Sequence, residues 1–201
     1  MLYKEEAMKK RAISLMLLML MLLTACGEET PTETPAPTAT VLSKGDCFTV
    51  SEEYTDNVAK YCYTITDKSG NVLESALCSE QPRVAVINDN LLGVRFYVND
   101  KTFCRYYDLK NSRVSKSFFN AFWDDGTLVA YHDYNNGHRM MVSDIFDEDG
   151  YSYELDLDIQ ALSITVTTCQ QDEQTGDLTV GYTYGDSETE YTVTLPTRAS
   201  E

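Results

Sequence analysis

LVAYHDYNNGHRMMVSDIF, residues 128–146, decides the fold. Two short runs of apolar and aromatic residues, 128–134 and 140–146, flank Asn135-Asn136-Gly137, and Asn-Gly between such runs is a strong local signal for a β-hairpin. Working outward, Phe119 to Trp123 leads in through Asp124-Asp125-Gly126, and Tyr151 to Leu157 follows Asp147-Glu148-Asp149-Gly150. Residues 119–157 thus read as an up-and-down meander of four strands. The rhythm recurs before it, in Val84–Ile87, Leu91–Val98, Phe103–Leu109 and Val114–Phe118, and after it, in Leu162–Cys169, Leu178–Tyr184 and Tyr191–Leu195. Upstream, Tyr61–Thr66 and Val72–Cys78 form a hairpin around Asp67-Lys68-Ser69-Gly70-Asn71. From Cys47 onward no window carries a capped apolar stripe of helical period. The chain is therefore expected to be all-β, built of antiparallel four-strand meanders.

These units repeat every 35 to 50 residues or so, a spacing that resembles the blades of the β-propeller class over residues 54–196. No Trp-Asp or Gly-Gly signature sits at a fixed place in each unit. The resemblance implies blade-like sheets, with the Tyr61–Cys78 hairpin completing a blade beside the C-terminal strands. The alternatives are a two-sheet β-sandwich and an open stack of meanders.

The N-terminal end reads differently. Lys9-Lys10-Arg11 precedes an apolar run, Ala12 to Leu23, too short for a stop-transfer helix, and Thr24-Ala25 supplies the small residues of a cleavage site. Leu23-Thr24-Ala25-Cys26 resembles the lipobox of the bacterial lipoprotein family at all four positions. That resemblance implies a signal peptide at 1–25, with translation starting at Met1 or Met8, and a diacylglycerol thioether on Cys26. The membrane is then a partner through the lipid, since two acyl chains at ~0.8 kcal/mol per buried methylene anchor stably where one is marginal. Residues 26–46, rich in Thr and Pro, are expected to be a disordered tether of up to roughly 60 Å, and 47–201 the folded domain. The implied location is the extracytoplasmic face of the cell membrane.

The chain holds 16 Lys and Arg against 32 Asp and Glu, and loss of 1–25, with four bases and two acids, moves the formal charge from −16 to −18. Such a field repels phosphate backbones and disfavours nucleic acid. Beyond Cys26 there are five cysteines without a Cys-x-x-Cys pair, so neither a zinc knuckle nor a dithiol redox site is indicated. Cys62 and Cys78, at even separation across the hairpin, are the candidate disulfide.

Motifs for nucleophilic catalysis and phosphate binding are absent. Asp124, Asp125, Asp147 and Asp149 concentrate hard oxygen ligands in tight turns, which suits Ca2+, although the same residues are ordinary turn formers. His132 and His138 flank the Asn136-Gly137 turn and can approach each other across it. Trp123, Tyr107, Tyr131 and Tyr134 are candidate platforms for a glycan or peptide, set against the strand preference of aromatic residues. Without a legible convergent polar set, the expectation is a non-catalytic binding or interaction module with no cofactor other than Ca2+. A cell-envelope hydrolase using carboxylates such as Asp124, Asp125 or Asp144, and a partner subunit of an envelope complex, are the alternatives.

Overall fold

A computed structural model of the chain describes residues 39–55, 58–99, 101–133, 138–147, 150–159 and 163–197. All of them lie in the compact unit 37–201. The lipobox, Tyr134 and Asp149 fall outside the described residues. Among the described residues every regular element is a strand, and no helix among them is long and apolar enough to cross a membrane.

The strands form four antiparallel sheets in chain order. The first contains β1 (Thr40–Gly45), β2 (Phe48–Thr55), β3 (Val58–Thr66) and β4 (Val72–Cys78). The second contains β5 (Arg83–Asn88), β6 (Leu91–Val98) and β7 (Lys101–Asp108), with β8 (Arg113–Val114) and β9 (Phe118–Phe119) sharing the far edge of β7. The third contains β10 (Trp123–Asp124), β11 (Leu128–Asp133), β12 (Arg139–Asp144) and β13 (Ser152–Asp156). The fourth has three strands, β14 (Ile164–Gln171), β15 (Leu178–Tyr184) and β16 (Tyr191–Leu195).

The all-β expectation and the meander order hold, with four corrections. The Tyr61–Cys78 hairpin pairs through β3 with its own upstream strand, β2, not with the C-terminal strands. Part of the expected tether, Thr40–Gly45, is folded as an edge strand, since Val41 and Leu42 give it the large apolar side chains its Thr/Pro-rich surroundings lack. The run expected at Val114–Phe118 is broken, because the Ser115 hydroxyl accepts from Tyr106 N at 2.9 Å while Ser115 N donates to Tyr106 O at 2.9 Å. Finally, Cys62 and Cys78 are free thiols on opposite faces. A bulge at Ile65/Thr66 inserts one residue, Leu73, into β4, so Cys78 lies opposite Tyr61 and Cys62 opposite Leu77. One inserted residue reverses the facing of everything beyond it.

Three buried clusters hold the sheets together. Val50, Tyr63 and Ile65 of the first sheet meet Leu92, Val94 and Tyr107 of the second. Tyr106, Leu91 and Phe118 on the other face of the second sheet meet Val129 and Ile145. Ala130, Met140 and Val142 of the third meet Leu178, Val180 and Leu195 of the fourth. Each fully buried Val, Leu, Ile or Met contributes about 1.5–3 kcal/mol. No buried cluster among the described residues joins the first sheet to the fourth.

Two carboxylates clamp the first sheet to the second. Glu74 receives Arg105 NH1 at 2.5 Å, Tyr107 OH at 2.6 Å and Tyr63 OH at 3.1 Å. Burial pushes the Tyr63 phenol up to about 12 and the Tyr107 phenol higher, so both remain donors. Asp67 receives Asn71 Nδ2 at 2.9 Å and Ser112 Oγ at 2.8 Å, and the Asn71 and Ser112 bonds hold its carboxyl down to about 2. Gly70, at φ +85°, closes this turn where a side chain would strain the backbone.

Glu74→Ala leaves Arg105 and two buried phenols without their acceptor. We expect a loss of ~2–3 kcal/mol, below that of a fully buried pair because Glu74 and Arg105 keep some solvent contact, read as a lower urea midpoint at unchanged m.

Candidate functional site

Between the second and third sheets, where their first strands β5 and β10 stand, the packing opens into a cleft of about 270 Å³. Alternation along β5, β6 and β7 aims Arg83, Arg95 and Cys104 into one cross-strand row and Ala85, Gly93 and Tyr106 into the next. Ala121, Phe122, Trp123 and Asp124 close the opposite side. Gly93 sets the depth. A Cβ there would lie 3.3 Å from Ile87 Cδ1 and 3.5 Å from the Tyr106 ring, so any side chain would fill the floor.

The polar groups of the cleft are few. Asp124 faces the second sheet and accepts the Tyr106 hydroxyl at 3.1 Å. Burial raises its carboxyl above the ordinary range, Asp125 adds to this, and the Tyr106 bond and Arg95 charge oppose it. Arg95 NH2 reaches across to Ala121 O at 3.3 Å. The three described ion pairs are Arg105–Glu74, Arg113–Asp108 and Arg139–Glu154, so neither Arg83 nor Arg95 belongs to one. Cys104 lies at the floor, 7% exposed, its thiol pushed up by burial.

The sequence candidates scatter. Trp123 borders the cleft, but pairing of Trp123 with Ala130 places it on the face turned to the fourth sheet, where it packs on that core. Tyr107 is a core residue at 0% exposure, spent on Glu74, and is not a platform. Tyr131 packs edge-on against Phe118, ring centroids 5.2 Å apart. Of the acidic set, only Asp124 enters the cleft. Asp125 accepts Thr127 N and Leu128 N at 2.8 Å as a turn cap, and exposed Asp147 lies by a separate polar cavity of about 380 Å³. Asp144, beside that cavity, accepts Tyr151 N at 2.5 Å, and Asp108 is held by Asn111 and Arg113. No group of three or more His, Cys, Asp or Glu side chains is arranged to hold a metal ion among the described residues.

Arg83, Arg95 and Gly93 were not singled out from the sequence. Their juxtaposition depends on a register shift: Asn88 pairs with Leu91 at the turn, and one extra residue, Ile87, brings Arg83 opposite Arg95.

His132 and His138 do meet, Nε2 to Nδ1 at 3.1 Å with nearly parallel rings. His132 is buried, its Nδ1 without a partner, and burial first and His138 second bring its pKa down to about 4, against the pull of Asp133. An unfolded imidazole titrates near 6.5, so unfolding takes up a proton between these values and stability falls as pH drops from about 6.5 toward 4. A proton NMR titration is expected to show the His132 ring neutral at pH 5.5, with its midpoint at about 4.

Comparison with known proteins leaves the cleft to be read from its own chemistry: no protein-family model, no curated protein and no solved structure matches the chain.

Proposed function

We propose that the chain is a lipid-anchored, extracytoplasmic binding module, held to the membrane through Cys26, whose ligand sits in the cleft between the second and third sheets. The observation that carries the reading is the cleft itself. It has small apolar walls, a floor left open by Gly93, and three charged side chains, Arg83, Arg95 and Asp124, converging on one space of about 270 Å³. That combination of an apolar lining with a few placed polar groups is the usual make-up of a small-molecule site.

Binding is preferred to hydrolysis on the same lining. Glycoside hydrolysis needs two carboxyl groups flanking one bond, and Asp124 is the one carboxyl residue that lines the cleft. Asp125 and Asp144, the other candidate acids, are occupied with backbone N–H groups.

Two experiments test the proposal. For the anchor, Cys26→Ser is expected to abolish incorporation of labelled fatty acid and to move the chain from the membrane to the soluble fraction; a variant that stays lipidated and membrane-bound overturns it. For the cleft, Trp123 is the sole tryptophan and borders the site, so its emission is read together with the melting temperature as a sign of occupancy. Titration with charged and neutral oligosaccharides and short peptides is expected to give a saturable change that Gly93→Val removes, in a variant whose fold is checked by circular dichroism. A panel that moves neither the emission nor the melting temperature removes the binding reading.

A further inference from the structure

The chemistry of the cleft narrows what can enter it, and this inference rests on the binding proposal. Arg83 and Arg95 are direct cross-strand partners on β5 and β6. Like charges placed opposite one another in a sheet destabilise it. A sheet normally relieves such a pair with a carboxylate, and this chain has acidic residues in two-fold excess over basic ones. Yet neither arginine forms an ion pair among the described residues, and Arg95 spends one donor on a carbonyl, Ala121 O. Asp124, the nearest acid in the lining, is turned to the Tyr106 hydroxyl, although its charge is felt by Arg95. Two guanidinium groups thus face one cavity with most of their donors unspent, on a molecule whose overall field is negative.

Guanidinium forks match carboxylates in shape and charge, and a bidentate pair of this kind fixes the orientation of a ligand. Asp124 supplies the complementary element, an acceptor at the inner wall that suits a hydroxyl donor. Between the two poles the lining is carbon, from Ala85, Ile87 and Ala121, which suits C–H rather than a further charge. The volume accommodates one ring rather than a chain. We infer that the cleft takes a sugar acid, its carboxylate on Arg83 and Arg95 and a ring hydroxyl on Asp124. Such a ligand also removes the repulsion between the two arginines, so occupancy and stability of the second sheet are linked.

The test compares two single-ring probes that differ at the carboxylate alone, galacturonate and its methyl ester, titrated against the mature chain and followed by Trp123 emission and by the melting temperature. The acid is expected to bind saturably and to raise the melting temperature, and the ester to bind roughly tenfold more weakly or worse, as loss of a charge-assisted contact implies. Arg83→Gln and Arg95→Gln, both at exposed side chains and therefore compatible with folding, are each expected to reproduce that loss for the acid and to leave the ester unchanged. If acid and ester bind alike, or if the arginine variants keep full affinity for the acid, the sugar-acid inference is overturned while the cleft stands as a binding site. If neither saccharide moves Trp123 while a peptide of the wider panel does, the inference is again overturned and the binding proposal survives it.

Discussion

A sheet of three to five short strands has two faces and too little side-chain mass to dry either of them alone, and every level of this structure follows from that constraint. The solution is stacking, in which each meander covers the next. It leaves different marks on inner and outer sheets. In β6 and β11, from sheets covered on both sides, Leu91–Val94 and Leu128–Ala130 are continuously buried. In β3 of the first sheet burial alternates from Cys62 to Thr66, and β13, at the edge of the third sheet, alternates likewise. The second and third sheets are held by neighbours on both sides, whereas the first and fourth each keep one face in water.

Stacked faces do not fit equally well everywhere, and the places of imperfect fit are where the chemistry gathers. Between the first and second sheets the gap is bridged by polar clamps, Glu74 collecting an arginine and two phenols, and Asp67 fastening one hairpin turn to the next sheet through Ser112. Between the second and third sheets a missing side chain at Gly93 and small residues at Ala85 and Ala121 leave the space unfilled on the side of the first strands. The same join supplies Arg83, Arg95 and Asp124. A tight seam and an open one thus arise from the same architecture through the choice of side chains.

Much of the fold was legible because strand runs and turn residues alternate so regularly: β11, β12 and β13 can be read almost directly from residues 128–157, whereas the run expected at Phe119–Trp123 is split between β9 of the second sheet and β10 of the third. The errors came from features a period of two cannot register. Leu73 adds one residue to β4, which is invisible in the pattern yet sends Cys62 and Cys78 to opposite faces. Ser115 replaces a ladder partner with its side chain and splits a strand that reads as continuous. Thr40–Gly45 joins the first sheet because an edge was available to pair with, a tertiary fact that composition masks. The site was harder to see for the same reason. Aromatic residues announce themselves, yet Tyr107 serves the core and Trp123 faces the fourth sheet. The arginine pair becomes significant only when register places the two side by side with nothing to neutralise them.

Stacking in chain order has a consequence for how the molecule is made. Each sheet is assembled from consecutive strands, and each buried cluster joins sheets adjacent in sequence. Most contacts are therefore short-range along the chain for an all-β protein, a topology associated with faster folding than a sandwich whose strands cross between layers. A chain emerging N-terminus first can complete the first sheet, dock the second on it, and continue by accretion without waiting for its last strands. Because none of the five described cysteines is cross-linked, that assembly runs to completion without an oxidant.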